Sequence, residues 1–178
     1  SEIETPQTIS RLSWYEGGHT HTALPLPGRN LVMVTDEAVT EGCDGDRHMI
    51  RLVDVSDEQR PMVRSICPVP DGDFCERGLR FGSHNLHENR PGSYRSAYLA
   101  FATYFNAGLR VYDLTDHDHP TEIAHWIPEC PPGQAAAQIN DLFVAENHRV
   151  YVTDRINGGL YILEPEAWLS ARMSQAAM

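Results

Sequence analysis

Four histidines lie in two short runs of a 178-residue chain, His19 and His21 in "GGHTHTALPLP" (17–27) and His84 and His87 in "GSHNLHENRPG" (82–92). Residues two apart on an extended chain project to the same side, so His19 and His21 are expected to share a face. The second run carries too much Asn, Gly and Pro for a regular strand, and a turn there could bring His84 and His87 to one point. Imidazole nitrogens suit copper, zinc or iron, and three or four of them with an open position would make a redox or Lewis-acid centre. Glu88, next to His87, could accept the outer N–H of a ligating ring or serve as a base. Arg80 and Arg155 could meet an anionic ligand, although an arginine at such a place also serves as a rim salt bridge. The competing use of these histidines is structural: a polar side chain repeated at equivalent buried positions can hydrogen-bond the carbonyls of a neighbouring sheet. Bracing needs one such residue per unit, whereas these two runs carry two histidines each.

The elements that would position them form a repeat. "HMIRLVDVSDEQRPMVRSICPVP" (48–70) aligns with "AGLRVYDLTDHDHPTEIAHWIPE" (107–129), each an alternating apolar strand, an acidic turn, then a proline that leads another strand. A third copy of the first strand is "GGLYILEPE" (158–166). Upstream of each lies a further strand, "NLVMVTDE" (30–37), "AYLAFATYF" (97–105) and "RVYVTDRI" (149–156), preceded by the inner segments 17–27, 82–92 and 138–148. The order is that of a four-stranded antiparallel unit. By the same rule "TPQTISRLSWYEGG" (5–18) is a proline-led last strand, and residues 167–178 suit a short helix. The equivalent positions Asp54, Asp113 and Leu109, Leu160 lie 59 and 51 residues apart, somewhat above the ~40 to 50 usual for a propeller blade. The expected fold is therefore all-β, a partial β-propeller in a single domain. Its blades are 1–16 in part, 17–70, 82–129 and 138–166 in part, so that the chain begins and ends within blades and the missing ones come from another chain or a cleaved N-terminal segment. A self-contained β-sandwich is the alternative. Asp54 and Asp113 are expected to cap the turns after their strands. Trp14, Tyr15, Trp126 and Trp168 are expected to pack between units.

"GLRVYDLTDHDHP" with "RVYVTDRINGGLYILE" resembles the LVIVD-repeat family of β-propellers, in which each blade opens on a His-Asp or His-Asn pair. The corresponding residues are His84-Asn85 in the second unit and His21-Thr22 in the first, while the third departs from the pattern with Asn140-Asp141. The resemblance covers residues 5–164 and implies a fold more than an activity. The "HTH" and "HNLH" runs are more remotely similar to selenium-binding-protein and methanethiol-oxidase propellers, a likeness that implies copper-type chemistry.

Composition narrows the classes. A net charge of −11, with 14 basic against 25 acidic residues, excludes a phosphate-gripping surface and hence a nucleic-acid partner. No apolar run is long enough for a membrane span. Cys43, Cys67, Cys75 and Cys130 lack zinc-knuckle spacing. Cys67 and Cys75 could close a short loop in an oxidising compartment, or all four could be thiols, with a periplasmic or extracellular setting slightly favoured. Ser1 could be exposed by processing and act as a nucleophile, or simply mark a boundary. No nucleophile elbow, phosphate loop or HExxH motif is present. The function expected is a metal site of His19, His21, His84 and His87 in a central funnel, with Glu88 and Arg80 assisting oxidation or metal-assisted hydrolysis of a small molecule. The alternatives are a metal-free propeller that binds a ligand or protein, and an accessory chain of a larger enzyme.

Overall fold

The computed structural model describes residues 5–45, 47–130 and 132–178. Among the described residues, ten strands and one helix follow one another. The first sheet holds β1 (Thr20–Leu26), β2 (Leu31–Asp36), β3 (Ile50–Asp54) and β4 (Met62–Ile66) in that spatial order, every pair antiparallel. The second holds β5 (Leu99–Thr103), β6 (Leu109–Asp113) and β7 (Thr121–Trp126). The third holds β8 (Ile139–Val144), β9 (Val150–Asp154) and β10 (Gly159–Leu163), before α1 (Ala167–Ala176).

The inner run of the second unit, too rich in turn formers for a full strand, still runs beside β5. His84 and His87 donate their N–H groups to the carbonyls of Thr103 and Phe101 (3.0 and 2.9 Å), and Thr103 returns its own to Asn85 (2.9 Å). The four-part unit read from the repeat is thus present in the first two sheets. The strand expected over 5–18 does not form. Residues 5–14 run without a ladder and touch the turn between β3 and β4 through Ser10, whose hydroxyl donates to the Glu58 carbonyl at 2.6 Å. A strand needs a partner, and no described neighbour offers one. Ser1 lies outside the described residues.

Alternation of side chains places the core. Along β5, Ala100 and Ala102 join Leu24, Met33, Ile50 and Leu52 of the first sheet, while Leu99 and Phe101 join Ile139, Val144 and Val152 of the third. β6 divides likewise, Tyr112 toward the first sheet and Leu109 and Val111 toward the third. β5 and β6 are therefore buried on both faces, which is why β5 reads as a continuous apolar run. The outer strands β4 and β10 half-bury alternate positions at most and leave the rest exposed. Helix α1 closes the third sheet with Leu169 and Met173, and Arg172 reaches Asp113 at 2.8 Å.

The turns follow their chemistry. Asp54 and Asp113 accept the N–H of Ser56 and Thr115, each at 2.8 Å, the capping expected of them. Gly108 sits at φ +80 between β5 and β6, where a Cβ would lie 2.1 Å from the Trp126 carbonyl, so only glycine fits. Trp126 packs against Tyr161 of the third sheet (ring centroids 4.9 Å apart), whereas Tyr15 is fully exposed and does not pack between units. The disulfide joins Cys43 to Cys75, not Cys67 to Cys75. The loops after β2 and β4 bring those two sulfurs together, while Cys67 is buried in the core, where burial pushes its thiol far up. Among the described residues no helix is long and apolar enough to cross a membrane.

Candidate metal centre

Two threonines at equivalent register set one sheet against the next. Thr35 lies opposite Ile50 and Thr103 opposite Leu109. Thr35 takes the N–H of Thr22 from its own sheet (3.1 Å) and donates to the His84 carbonyl of the second (2.6 Å). Thr103 takes the N–H of Asn85 (3.0 Å) and donates to the Asn140 carbonyl of the third (2.9 Å). The step from first to second sheet is repeated from second to third, and the inner residues His21, His84 and Asn140 occupy corresponding places.

This register puts His21 and His84 side by side, ring centroids 4.2 Å apart. Between them stands Glu37, one residue past β2. Its Oε1 lies 3.6 Å from His84 Nε2 and its Oε2 lies 4.0 Å from His21 Nε2. The three ligand atoms all fall within 4.8 Å of one another. Donors about 2.1 Å from one metal ion stand roughly 3.3 Å apart, so small side-chain rotations would close the set.

The tautomer of His84 follows from its partner. Its Nδ1 lies 2.8 Å from the Asn140 carbonyl, an oxygen that can only accept, so Nδ1 carries the hydrogen and Nε2 presents its lone pair to Glu37. A backbone carbonyl behind a ring is a common support for a ligating histidine. Burial holds the His84 pKa below the usual 6.5, against the opposing pull of the Asn140 bond, and so favours the neutral form a metal requires. His21 Nδ1 is engaged with Thr22 Oγ1 at 2.9 Å, which turns its Nε2 inward. Arg80 Nη1 binds Glu37 Oε1 at 3.0 Å, fixing the carboxylate by one oxygen. Beneath this group Asp36 and Arg51 form an ion pair with 0% and 3% of their side chains exposed, and Thr20 donates to Asp36 at 3.1 Å.

The structure brings together two of the four histidines expected from sequence. His19 does not join them. The strand begins at Thr20 and His19 has φ +54, so the alternation that would align it with His21 is broken, and its ring lies 6.2 Å from that of His48. His87 is turned away and fully engaged: its Nε2 donates to the Tyr94 carbonyl (2.8 Å) and its Nδ1 accepts from Val144 N–H (3.2 Å). It braces the inner run against β8. Glu88 is exposed, 3.8 Å from Arg90, and lies apart from the cluster. Arg80 reaches it through Glu37. His117 is bonded to Arg29 (3.2 Å) and His119 to Asp116 (3.1 Å), in the polar turn after β6.

Glu37 was missed because a lone Glu after a strand carries no motif. Its signal lay in the repeat. Thr153 faces Leu160 in the third sheet as Thr35 faces Ile50, so Glu37, Phe105 and Arg155, each two residues further on, are equivalent. Carrying the alignment past the strand ends would have set Glu37 among the inner histidines.

Two nitrogens and one carboxylate from three separate segments could supply part of a coordination shell, and His21 keeps 36% of its side-chain exposure. Such a set suits iron(II) or zinc, and tolerates copper. No family model and no curated protein matches the chain.

Proposed function

We propose that the chain is part of an LVIVD-like β-propeller that binds one divalent transition-metal ion through His21, Glu37 and His84, and uses the open side of that ion for oxidation or metal-assisted hydrolysis of a small molecule. The observation that carries this reading is the pair of Nε2 atoms facing the two oxygens of one carboxylate, with His84 locked from behind by a carbonyl. The mixed nitrogen and oxygen set favours iron(II) or zinc over copper(I).

The repeated threonine contact supports radial stacking of the sheets. Thr153 holds the same place in the third sheet and is exposed, and Leu160 and Ile162 of β10 are each 60% exposed, which supports a further sheet against that face. The Cys43–Cys75 disulfide supports an oxidising setting, periplasmic or extracellular.

The test is metal content. Protein stripped with chelator and re-equilibrated with zinc or iron(II) should hold one ion, and His84→Ala with His21→Ala should lose it. Retention of the ion by the double variant would refute the assignment. The second reading, a metal-free ring in which inner polar residues only brace neighbouring sheets, is favoured at one place by His87, both of whose ring nitrogens bond the backbone.

A further inference from the structure

Equivalent positions in the three sheets deliver Glu37, Phe105 and Arg155 in succession. The first is a ligand candidate. The second is a ring against which His84 lies at 4.9 Å and over which the Arg80 guanidinium stands at 5.6 Å. The third, Arg155, is a cation at the corresponding place, in the turn after β9. The start of β8 ties these groups together. Arg155 donates its backbone N–H to the Gln138 carbonyl (3.0 Å). The Gln138 side-chain amide in turn clamps the backbone of Arg80, accepting from its N–H and donating to its carbonyl, each at 3.1 Å. Two residues on, the Asn140 carbonyl holds His84.

Of the two arginines tied to the start of β8, Arg80 and Arg155, only Arg155 lacks an ion pair among the described residues. Arg80 is neutralised by Glu37, Arg51 by Asp36, Arg110 by Glu122 and Arg172 by Asp113. The Arg155 guanidinium has no ion-pair partner among the described residues, although Asp154 is its chain neighbour. That carboxylate is engaged by the Asn157 side chain and by the N–H groups of Gln138 and Ile156. Arg155 stands close enough to the cluster for its charge to act on His84. A divalent ion held by one carboxylate keeps a net positive charge, and Arg155 adds another. This corner would be cationic on a chain of net charge −11.

We propose that the metal site takes a small carboxylate as its ligand, one oxygen on the open side of the ion and the charge met by the planar guanidinium of Arg155. The proposal rests on the metal reading above. A guanidinium matches a carboxylate by paired N–H donors, and a charge-assisted hydrogen bond of this kind contributes about 1.5–3 kcal/mol, or roughly 10- to 100-fold in affinity.

The experiment uses the cobalt(II)-loaded protein, whose visible absorption reports ligands on the ion, titrated with acetate and with the neutral isostere acetamide. Acetate should perturb the bands saturably and acetamide should not. Arg155→Gln should weaken acetate binding at least tenfold without weakening cobalt binding, and Arg155→Lys should recover part of the loss. Equal acetate affinity in wild type and Arg155→Gln, or a cobalt spectrum blind to acetate, overturns the proposal and leaves the metal site standing. A protein that takes up no cobalt overturns both.

Discussion

Replacing Asp36 with Asn tests whether the ground beneath the candidate site is as tightly determined as its geometry indicates. Asp36 ends β2 directly before Glu37, and its side chain is fully buried against Arg51, itself 3% exposed. Asn keeps the shape and can still accept from Thr20, but it removes the negative charge. The guanidinium left behind has the Glu16 carbonyl and the Trp14 ring, 4.6 Å away, and no anion. Breaking a buried pair from one side costs about 3–5 kcal/mol. Removing both charges, as in Asp36→Leu with Arg51→Met, loses two or three hydrogen bonds of about 1 kcal/mol each but leaves no stranded ion. The single variant should therefore be less stable than the double. Urea unfolding, compared at matched slopes so that midpoints convert to free energies, measures both. A single variant within about 1 kcal/mol of wild type, or a double variant clearly worse than the single, would refute the claim that the pair is dry and mutually compensating.

Stability should fall as pH drops below about 6.5, because burial depresses His84 and His87 below that ordinary value and the unfolded chain then takes up protons before the folded one. The stabilisation is complete above the unfolded pKa and is lost as pH falls through the folded values, and urea midpoints between pH 7.5 and 5 follow it; His87→Gln should flatten the slope. Reduction of Cys43–Cys75, which spans a sequence separation of 32, should cost about 2–4 kcal/mol in the same assay, and Cys67 should react with a thiol reagent only on unfolding. Gly108→Ala should destabilise by at least about 1–3 kcal/mol, since it forces a side chain into a left-handed conformation against a carbonyl, and a thermal midpoint unchanged within a degree would contradict this.

Much of the fold was legible because its signals are local. Acidic turns and prolines mark where strands stop, and alternating apolar residues mark β2, β3, β6 and β9, so the repeat exposed the order of elements and placed His21 beside His84. The N-terminal segment failed because 5–18 has a strand's composition but no described strand lies where it could pair. His19 failed for the opposite reason: its spacing is right, yet a left-handed residue at the strand entrance re-aims it. His87 shows that composition cannot separate a ligand from a brace, since the difference lies in whether Tyr94 and Val144 come to meet its two nitrogens. The disulfide was misread because sequence proximity stood in for the spatial meeting of two distant loops.

The three candidate ligands come from two sheets and their flanking segments, His21 and Glu37 from the first and His84 from the run beside β5 of the second. An ion held by them would rivet one layer to its neighbour across the seam. The melting temperature would then rise with the concentration of free ion, and chelation would loosen the joint between layers before either layer came apart.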